Sequence, residues 1–428
     1  MLLRFSLYGF LKNQRYFEPF LLLAMLDVGL GFSEIGLLVA LRELTTTALE
    51  IPSGALADGL GRRRAMVLSF AGYVAAYLAL GFGTGLASFA VGMALVGVGD
   101  AFRTGTHKAM IFDWLAAQGR QDERVRIYGY TRSWSQIGSA VAMPIGALIV
   151  FFTGRYGATF WIAAVPAAIN LVNLATYPRL VDGDVEDASV RGVAALLWAS
   201  LRQSATTPRL RGLLVEAAAF GGTYKVLKDY LQPVVATLAL GLPLAFAAAP
   251  EQKTAIAAGV VYVVLYLLSA AASRNAHRWV ERFSDMHRAA WVLWLAALLA
   301  YGGLTPALAL GVPVAAVLGF IVLALLHNLF RPILVSRIDE IGDRKAGATI
   351  LSIESQATSL AAIVLAPAIG AGVDLVAGSG TTSLWPAAAV ATTICALVLL
   401  AVVRRPSPAS ATAEPPRGTD EVGPGAGA

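Results

Sequence analysis

Cysteine is almost missing from this 428-residue chain: Cys395, in the last apolar run, is the only one. A single thiol excludes an internal disulfide and offers no metal cluster, which leaves it the role of a small buried hydrophobe. Charge is scarce as well. Charged residues make up 14% of the chain against 57% hydrophobic ones, and the mean hydropathy is +0.67, outside the usual balance of a soluble globular protein. The net charge of +6 does not point to nucleic acid, because the arginines fall in short clusters between apolar runs and form no stripe interleaved with aromatics. No Gly-x-x-x-x-Gly-Lys-Ser/Thr sequence is present, so an ATP-driven pump is not expected. No nucleophile, base and orienting acid can be assembled, so neither is a hydrolytic enzyme. His107 and His327 come without the neighbours of a metal site, and no metal or cofactor is expected.

Long apolar runs are abundant. A helix crossing the ~30 Å hydrocarbon core needs roughly 20 mainly apolar residues, and twelve such spans can be placed, near 8–30, 33–58, 64–84, 87–114, 126–151, 157–178, 209–236, 254–274, 288–304, 312–336, 346–374 and 384–403. The fold class is an all-α membrane protein with its partners in the lipid bilayer. Lys12, Asn13 and Arg15 interrupt the opening segment, which argues against a signal peptide. Arg62, Arg63 and Arg64 fall in the 2–3 loop, Arg120, Arg124 and Arg126 in the 4–5 loop, Arg274, Arg278, Arg282 and Arg288 in the 8–9 loop, and Arg337, Arg344 and Lys345 in the 10–11 loop. Opposite turns carry only Arg155 and Lys253. The positive-inside rule then places both termini in the cytoplasm. An acidic stretch, Asp182 to Asp187, leads into an amphipathic segment from Val190 to Arg202. It reads as a linker over 179–208, between a six-helix unit at 1–178 and another at 209–404, while 405–428 reads as a disordered tail.

The loop after span 2 is the most specific feature. It reads Gly54-Ala-Leu-Ala-Asp58-Gly-Leu-Gly61-Arg62-Arg63-Arg64. This spacing resembles the signature loop of the major facilitator superfamily. The resemblance implies twelve transmembrane helices in two pseudo-symmetric bundles, a secondary transporter working by alternating access, and a gate built from Asp58, Arg62 and an acid in span 4, here Asp113. Gly54 and Gly61 would allow close packing and a tight turn, beside Arg63. Internal matches agree with two related halves: Phe102-Arg103 with Phe330-Arg331, Ser135-Gln136 with Ser355-Gln356, and Pro144-Ile-Gly146-Ala with Pro367-Ala-Ile-Gly370-Ala. Span 5 reads Gly138-Ser-Ala-Val-Ala142-Met-Pro144-Ile-Gly146-Ala147. That is similar to the Gly-x-x-x-Gly-Pro-x-x-Gly-Gly of exporters in the family, with the proline displaced by one position and two glycines replaced by alanine.

Ionisable residues inside spans are costly, roughly 2.5–3.5 kcal/mol each on insertion scales, and mark candidate pathways. Span 4 carries Asp100, Arg103, Thr104 and His107 at helical spacing, predicting one polar stripe with Lys108 beside it. Other candidates for the substrate or proton pathway are Glu18, Glu43, Glu50, Arg132, Gln136, Lys225, Asp229, His327, Arg331 and Glu354. Structural readings stand beside these: Lys12 and Arg15 snorkelling to the interface, a Lys225–Asp229 pair holding span 7, and an Asp100–Arg103 salt bridge. An unperturbed histidine pKa near ~6.5 would suit His107 to proton coupling. The expectation is proton-coupled efflux of a small amphipathic compound by a monomer in the cell inner membrane. The alternatives are uptake or exchange of an anionic or zwitterionic metabolite, and a non-transporting receptor that kept the fold.

Overall fold

The computed structural model describes residues 1–104, 106–178, 206–243, 249–283, 285–341, 347–377 and 384–401, and every regular element among them is helical. Eight helices are long and apolar enough to cross a membrane: Arg62–Gly81, Leu86–Ala117, Gln121–Thr153, Ala158–Ala175, Pro250–Arg274, Met286–Ala309, Pro313–Ile338 and Ile353–Val376. These supply spans 3 to 6 and 8 to 11. Span 12 is the shorter apolar helix Trp385–Ala401. Span 2 is the continuous helix Phe32–Leu60, made less apolar by Arg42, Glu43 and Glu50. The linker at 179–205, the tail from 402, and Arg344 and Lys345 lie outside the described residues.

Spans 1 and 7 cross in pieces, and span 4 is broken. Span 1, expected as one helix over 8–30, consists of Leu2–Lys12 and Leu21–Asp27. Pro19 lies between the two pieces and donates no N–H. Inside a bilayer the freed backbone groups must be satisfied by protein. Gln232 of span 7 does much of this: its Oε1 accepts the Leu22 and Leu23 N–H groups at 2.7 and 3.4 Å, and its Nε2 donates to the Glu18 carbonyl at 3.0 Å. Asn13 and Gln14 donate from the break to the Ser135 and Gly138 carbonyls of span 5, at 2.5 and 3.1 Å. Span 7 runs as Pro208–Glu216, a π-helical segment Ala217–Gly221, Gly222–Leu227, a 3-10 turn Lys228–Tyr230, and Leu231–Leu240.

Spans 2, 3, 4 and 6 pack together, with span 1 against spans 5 and 6; spans 7, 8 and 10 and spans 9, 10 and 12 form the other bundle, where span 11 lies on span 7. The bundles meet where span 2 crosses span 11 and span 5 crosses span 8. These two pairs exchange under the pseudo-two-fold that relates span n to span n+6. Span 2 approaches span 11 backbone to backbone: a Cβ on Gly36 would lie 2.3 Å from the Ala366 carbonyl oxygen, and one on Gly370 2.1 Å from that of Phe32.

Arg337, read from sequence as a loop charge, is instead buried in span 10. Its guanidinium donates at 2.7 and 3.0 Å to the two oxygens of Glu216, and the Trp294 indole N–H donates to the same carboxylate at 3.1 Å. The pair, buried on both sides, ties spans 7, 9 and 10 together. Glu216→Gln should therefore destabilise the protein by roughly 3–5 kcal/mol by leaving Arg337 uncompensated. Thermal unfolding in detergent, with Asp285→Asn at an exposed helix cap as reference, checks this; equal melting temperatures would contradict it.

Candidate functional site

A cavity of about 550 Å³ lies between the bundles, bounded by Glu18, Arg132, Gln136, Tyr224, Lys228, Asp229, Tyr262, Tyr266 and Asn328. It reaches Ser273 and Arg274, the end of span 8 that lies on the same side as the 2–3 loop. Lys228 stands between two carboxylates, 3.3 Å from Asp229 and 4.0 Å from Glu18. The expected Lys225–Asp229 pair is not formed. The 3-10 turn at Lys228–Tyr230 breaks the helical spacing, and Lys225 turns to Glu43 of span 2 at 2.6 Å and Ser359 of span 11 at 3.2 Å.

Asp100 is the best-bonded carboxylate in the first bundle. Tyr73 donates to it at 2.6 Å, Arg42 at 2.7 and 3.2 Å, Arg103 at 3.3 Å and Arg15 at 3.5 Å. Arg15 is thus held inside the bundle and does not snorkel. The single polar stripe read along span 4 is interrupted: the helix stops at Arg103, Thr104 is extended (φ −62°, ψ 124°), and a new helix starts at Thr106. Beyond the break His107 stacks on Tyr8 with ring centroids 3.6 Å apart. Lys108 is exposed and lies over Phe112 and Tyr128. In the second bundle His327 stacks on Tyr224 at 4.2 Å. His327, Arg331, Lys225 and Glu354 line a side chamber of about 240 Å³. Among the described residues the buried Glu354 carboxylate has neither a hydrogen bond nor an ion pair. Glu50 lies 3.4 Å from the Gln356 amide nitrogen across the interface.

At the signature loop Gly61 takes φ +92°, which lets span 2 end and span 3 begin with one residue between them. Arg62 forms an ion pair with Asp113, and Arg63 donates to the Ala175 and Tyr177 carbonyls at the end of span 6. Among the described residues, none comes within 4 Å of a Cβ placed on Gly54. The Asp58 side chain lies outside those described.

The sequence profile of the Major Facilitator Superfamily matches residues 13–366. The chain belongs to this superfamily. Solved structures with the same fold include the nucleoside transporter NupG, at TM-score 0.72 and 15% identity over 94% of this chain and 98% of that one. A bacterial homologue of the human lysosomal transporter Spinster, in an inward-facing and unoccupied conformation, gives 0.68 and 16% over 94% and 93%. A POT family transporter in complex with 5-aminolevulinic acid gives 0.69 and 12% over 94% and 96%. No protein of curated function matches the chain. The family makes this protein a multi-pass membrane transporter and not an enzyme.

At the end far from the signature loop, Asp374 of span 11 accepts the Phe32 N–H at 2.9 Å, the Ser33 N–H at 2.7 Å and the Ser33 hydroxyl at 2.5 Å, capping the first turn of span 2 from the opposite bundle. A carboxylate there also meets the positive end of the helix dipole. Gln252 of span 8 reaches the Phe151 carbonyl of span 5 at 3.2 Å nearby. Asp374 and Gln232 were not among the residues singled out from sequence, where one reads as the last residue of an apolar run and the other as one more amide. Gly370→Val should hold the far end apart, because its side chain would meet the Phe32 carbonyl. Spin labels at Arg155→Cys and Lys253→Cys, with Cys395→Ser as background, should then move apart by several ångströms, while an in-bundle pair at Thr84→Cys and Arg155→Cys stays fixed.

Proposed function

We propose that this transporter moves a small polar solute carrying negative charge, an anionic or zwitterionic metabolite, by alternating access. The observation that supports this reading is the excess of cations at membrane depth. Arg132 lines the cavity and Arg331 a side chamber; among the described residues neither forms an ion pair with a carboxylate, although Glu354 shares the chamber of Arg331 and lies within its electrostatic reach. Cations facing a cavity without an ion pair favour an anionic ligand and penalise a lipophilic cation. Arg62 to Arg64, Arg120, Arg124, Arg278 and Arg282 lie at the signature-loop side, and Arg155 and Lys253 at the other, which supports a cytoplasmic address for the side toward which the cavity points. Efflux of an amphipathic compound is the second reading. It is favoured by the exporter-like run Gly138 to Ala147 and by an apolar groove of about 590 Å³ formed by Pro144, Leu148, Phe151, Ile256 and Val260.

Glu354 is the side chain best suited to carry a coupling proton. It is buried and unpaired beside the cavity, whereas Asp100 is committed to three arginines and a tyrosine. A carboxylate in that position is inexpensive when protonated and costly when charged, so its occupancy can follow access to either side. His327, Arg331, Lys225 and Lys228 share its chamber. Glu354→Gln, in proteoliposomes loaded with a solute chosen from carboxylates, amino acids, phosphate esters and lipophilic cations by thermal stabilisation, should keep solute exchange. It should lose accumulation driven by a proton gradient by about tenfold or more. Gradient-driven accumulation equal to that of the unmodified protein would remove Glu354 from this role.

A further inference from the structure

A second side chamber, also about 240 Å³, opens in the first bundle. The two chambers are built from corresponding pieces. Tyr8-x-x-Leu11-Lys12-Asn13 in span 1 repeats as Tyr224-x-x-Leu227-Lys228-Asp229 in span 7, and Ser135 of span 5 corresponds to Ser355 of span 11. Each chamber contains the equivalent tyrosine, lysine and serine, and in each a histidine from the fourth span of the bundle stacks on the tyrosine. The histidines come from different register positions, four residues after Arg103 in one case and four before Arg331 in the other.

The chambers differ in charge. Lys228 has Asp229 beside it, and Glu354 lines the same chamber. At the corresponding places the first bundle carries Asn13 and Trp134. Its chamber is lined by Lys12 and Arg132 with no carboxylate among the lining residues. Lys12 lies over the Tyr8 ring at 5.6 Å and within electrostatic reach of Arg15, Arg103 and Arg132. The wall behind offers no spare acid: Asp100 is shared by Arg15, Arg42 and Arg103, and Glu43 is taken by Lys225. The His107 Nε2, buried and lining the chamber, has no hydrogen-bond partner among the described residues. Two free cations, an unpartnered ring nitrogen and the neutral donors of Tyr128 and Gln136 therefore converge on one space. Arg132 and Gln136 also border the central cavity, which makes the chamber a branch of it.

We infer that this chamber is the subsite for an oxyanion group, a carboxylate or phosphate, borne by the transported solute. The inference rests on the reading of an anionic or zwitterionic solute and adds where its negative group binds. A zwitterion held this way leaves its positive group toward the central cavity, where the Glu18 and Asp229 carboxylates flank Lys228.

The test is thermal stabilisation of the purified, detergent-solubilised protein in chloride-free buffer, titrated with inorganic phosphate, sulfate, lactate, succinate and tetraphenylphosphonium. Stabilisation by oxyanions is expected, with the phosphate and carboxylate arms ranking the two groups. Lys12→Gln and Arg132→Gln should each weaken the apparent oxyanion affinity at least about tenfold. Arg132→Lys should recover most of it, and Arg155→Gln, exposed at the far end of span 5, should leave it within about twofold. The melting temperature of Arg132→Lys without ligand separates lost binding from lost folding. Oxyanion stabilisation undiminished in Lys12→Gln and Arg132→Gln, or lost only in Arg331→Gln, overturns the subsite while leaving the anionic-solute reading intact. Stabilisation by tetraphenylphosphonium and by none of the anions overturns both.

Discussion

Hydrocarbon provides no hydrogen-bond partner, and most of this structure follows from how the chain meets that constraint wherever it departs from regular helix. Span 1 is cut in two, and the exposed backbone groups of the cut are taken up by three amide side chains, Asn13, Gln14 and Gln232. Charged groups obey the same rule. Glu216 has Arg337 and Trp294, and Asp100 has three guanidinium groups and a phenol. The exposed faces of the spans carry leucine and valine, as at Val260, Leu267, Val364 and Leu375.

The interface between bundles is made differently from the bundle interiors. It rests on glycine contacts and on a few exchangeable polar groups: Asp374 on the start of span 2, Glu43 on Lys225, Gln232 on the cut in span 1. Each is a hydrogen bond or ion pair that water could replace if the interface opened, and beside them Phe32 of span 2 stacks on Tyr230 of span 7. This separation of permanent from replaceable contacts is what rocking two rigid bodies demands.

Much of the architecture was legible in sequence because a membrane span is a long, strong pattern. The signature loop added specificity at Gly61 and in the pairing of Arg62 with Asp113. Two of the failures share one cause, the assumption of unbroken helix. Helical spacing joined His107 to Asp100 and Lys225 to Asp229, yet a break at Thr104 and a 3-10 turn at Lys228 separate them. Arg337 was misplaced because a charge near the end of an apolar run reads as loop when its partner, Glu216, is 121 residues away. Which side chains of different spans meet is a property of packing, and no periodicity along one span encodes it. The Tyr-x-x-Leu-Lys repeat is visible in the sequence, but it acquires meaning only when both copies border matching chambers.

The inner wall of the first bundle holds Lys12, Arg15, Arg42, Arg103 and Arg132, three of which share the Asp100 carboxylate. Such a wall is an electrical element as well as a chemical one. With the signature side cytoplasmic, the inside-negative voltage of a living membrane draws these charges toward the compartment into which the empty cavity points, at about 2.3 kcal/mol per elementary charge carried through 100 mV. An anion bound there cancels part of that charge and so weakens the grip of the field. For an anionic solute, loaded and empty forms would then reorient under different electrical loads, and the step sensitive to voltage would be the return of the empty carrier.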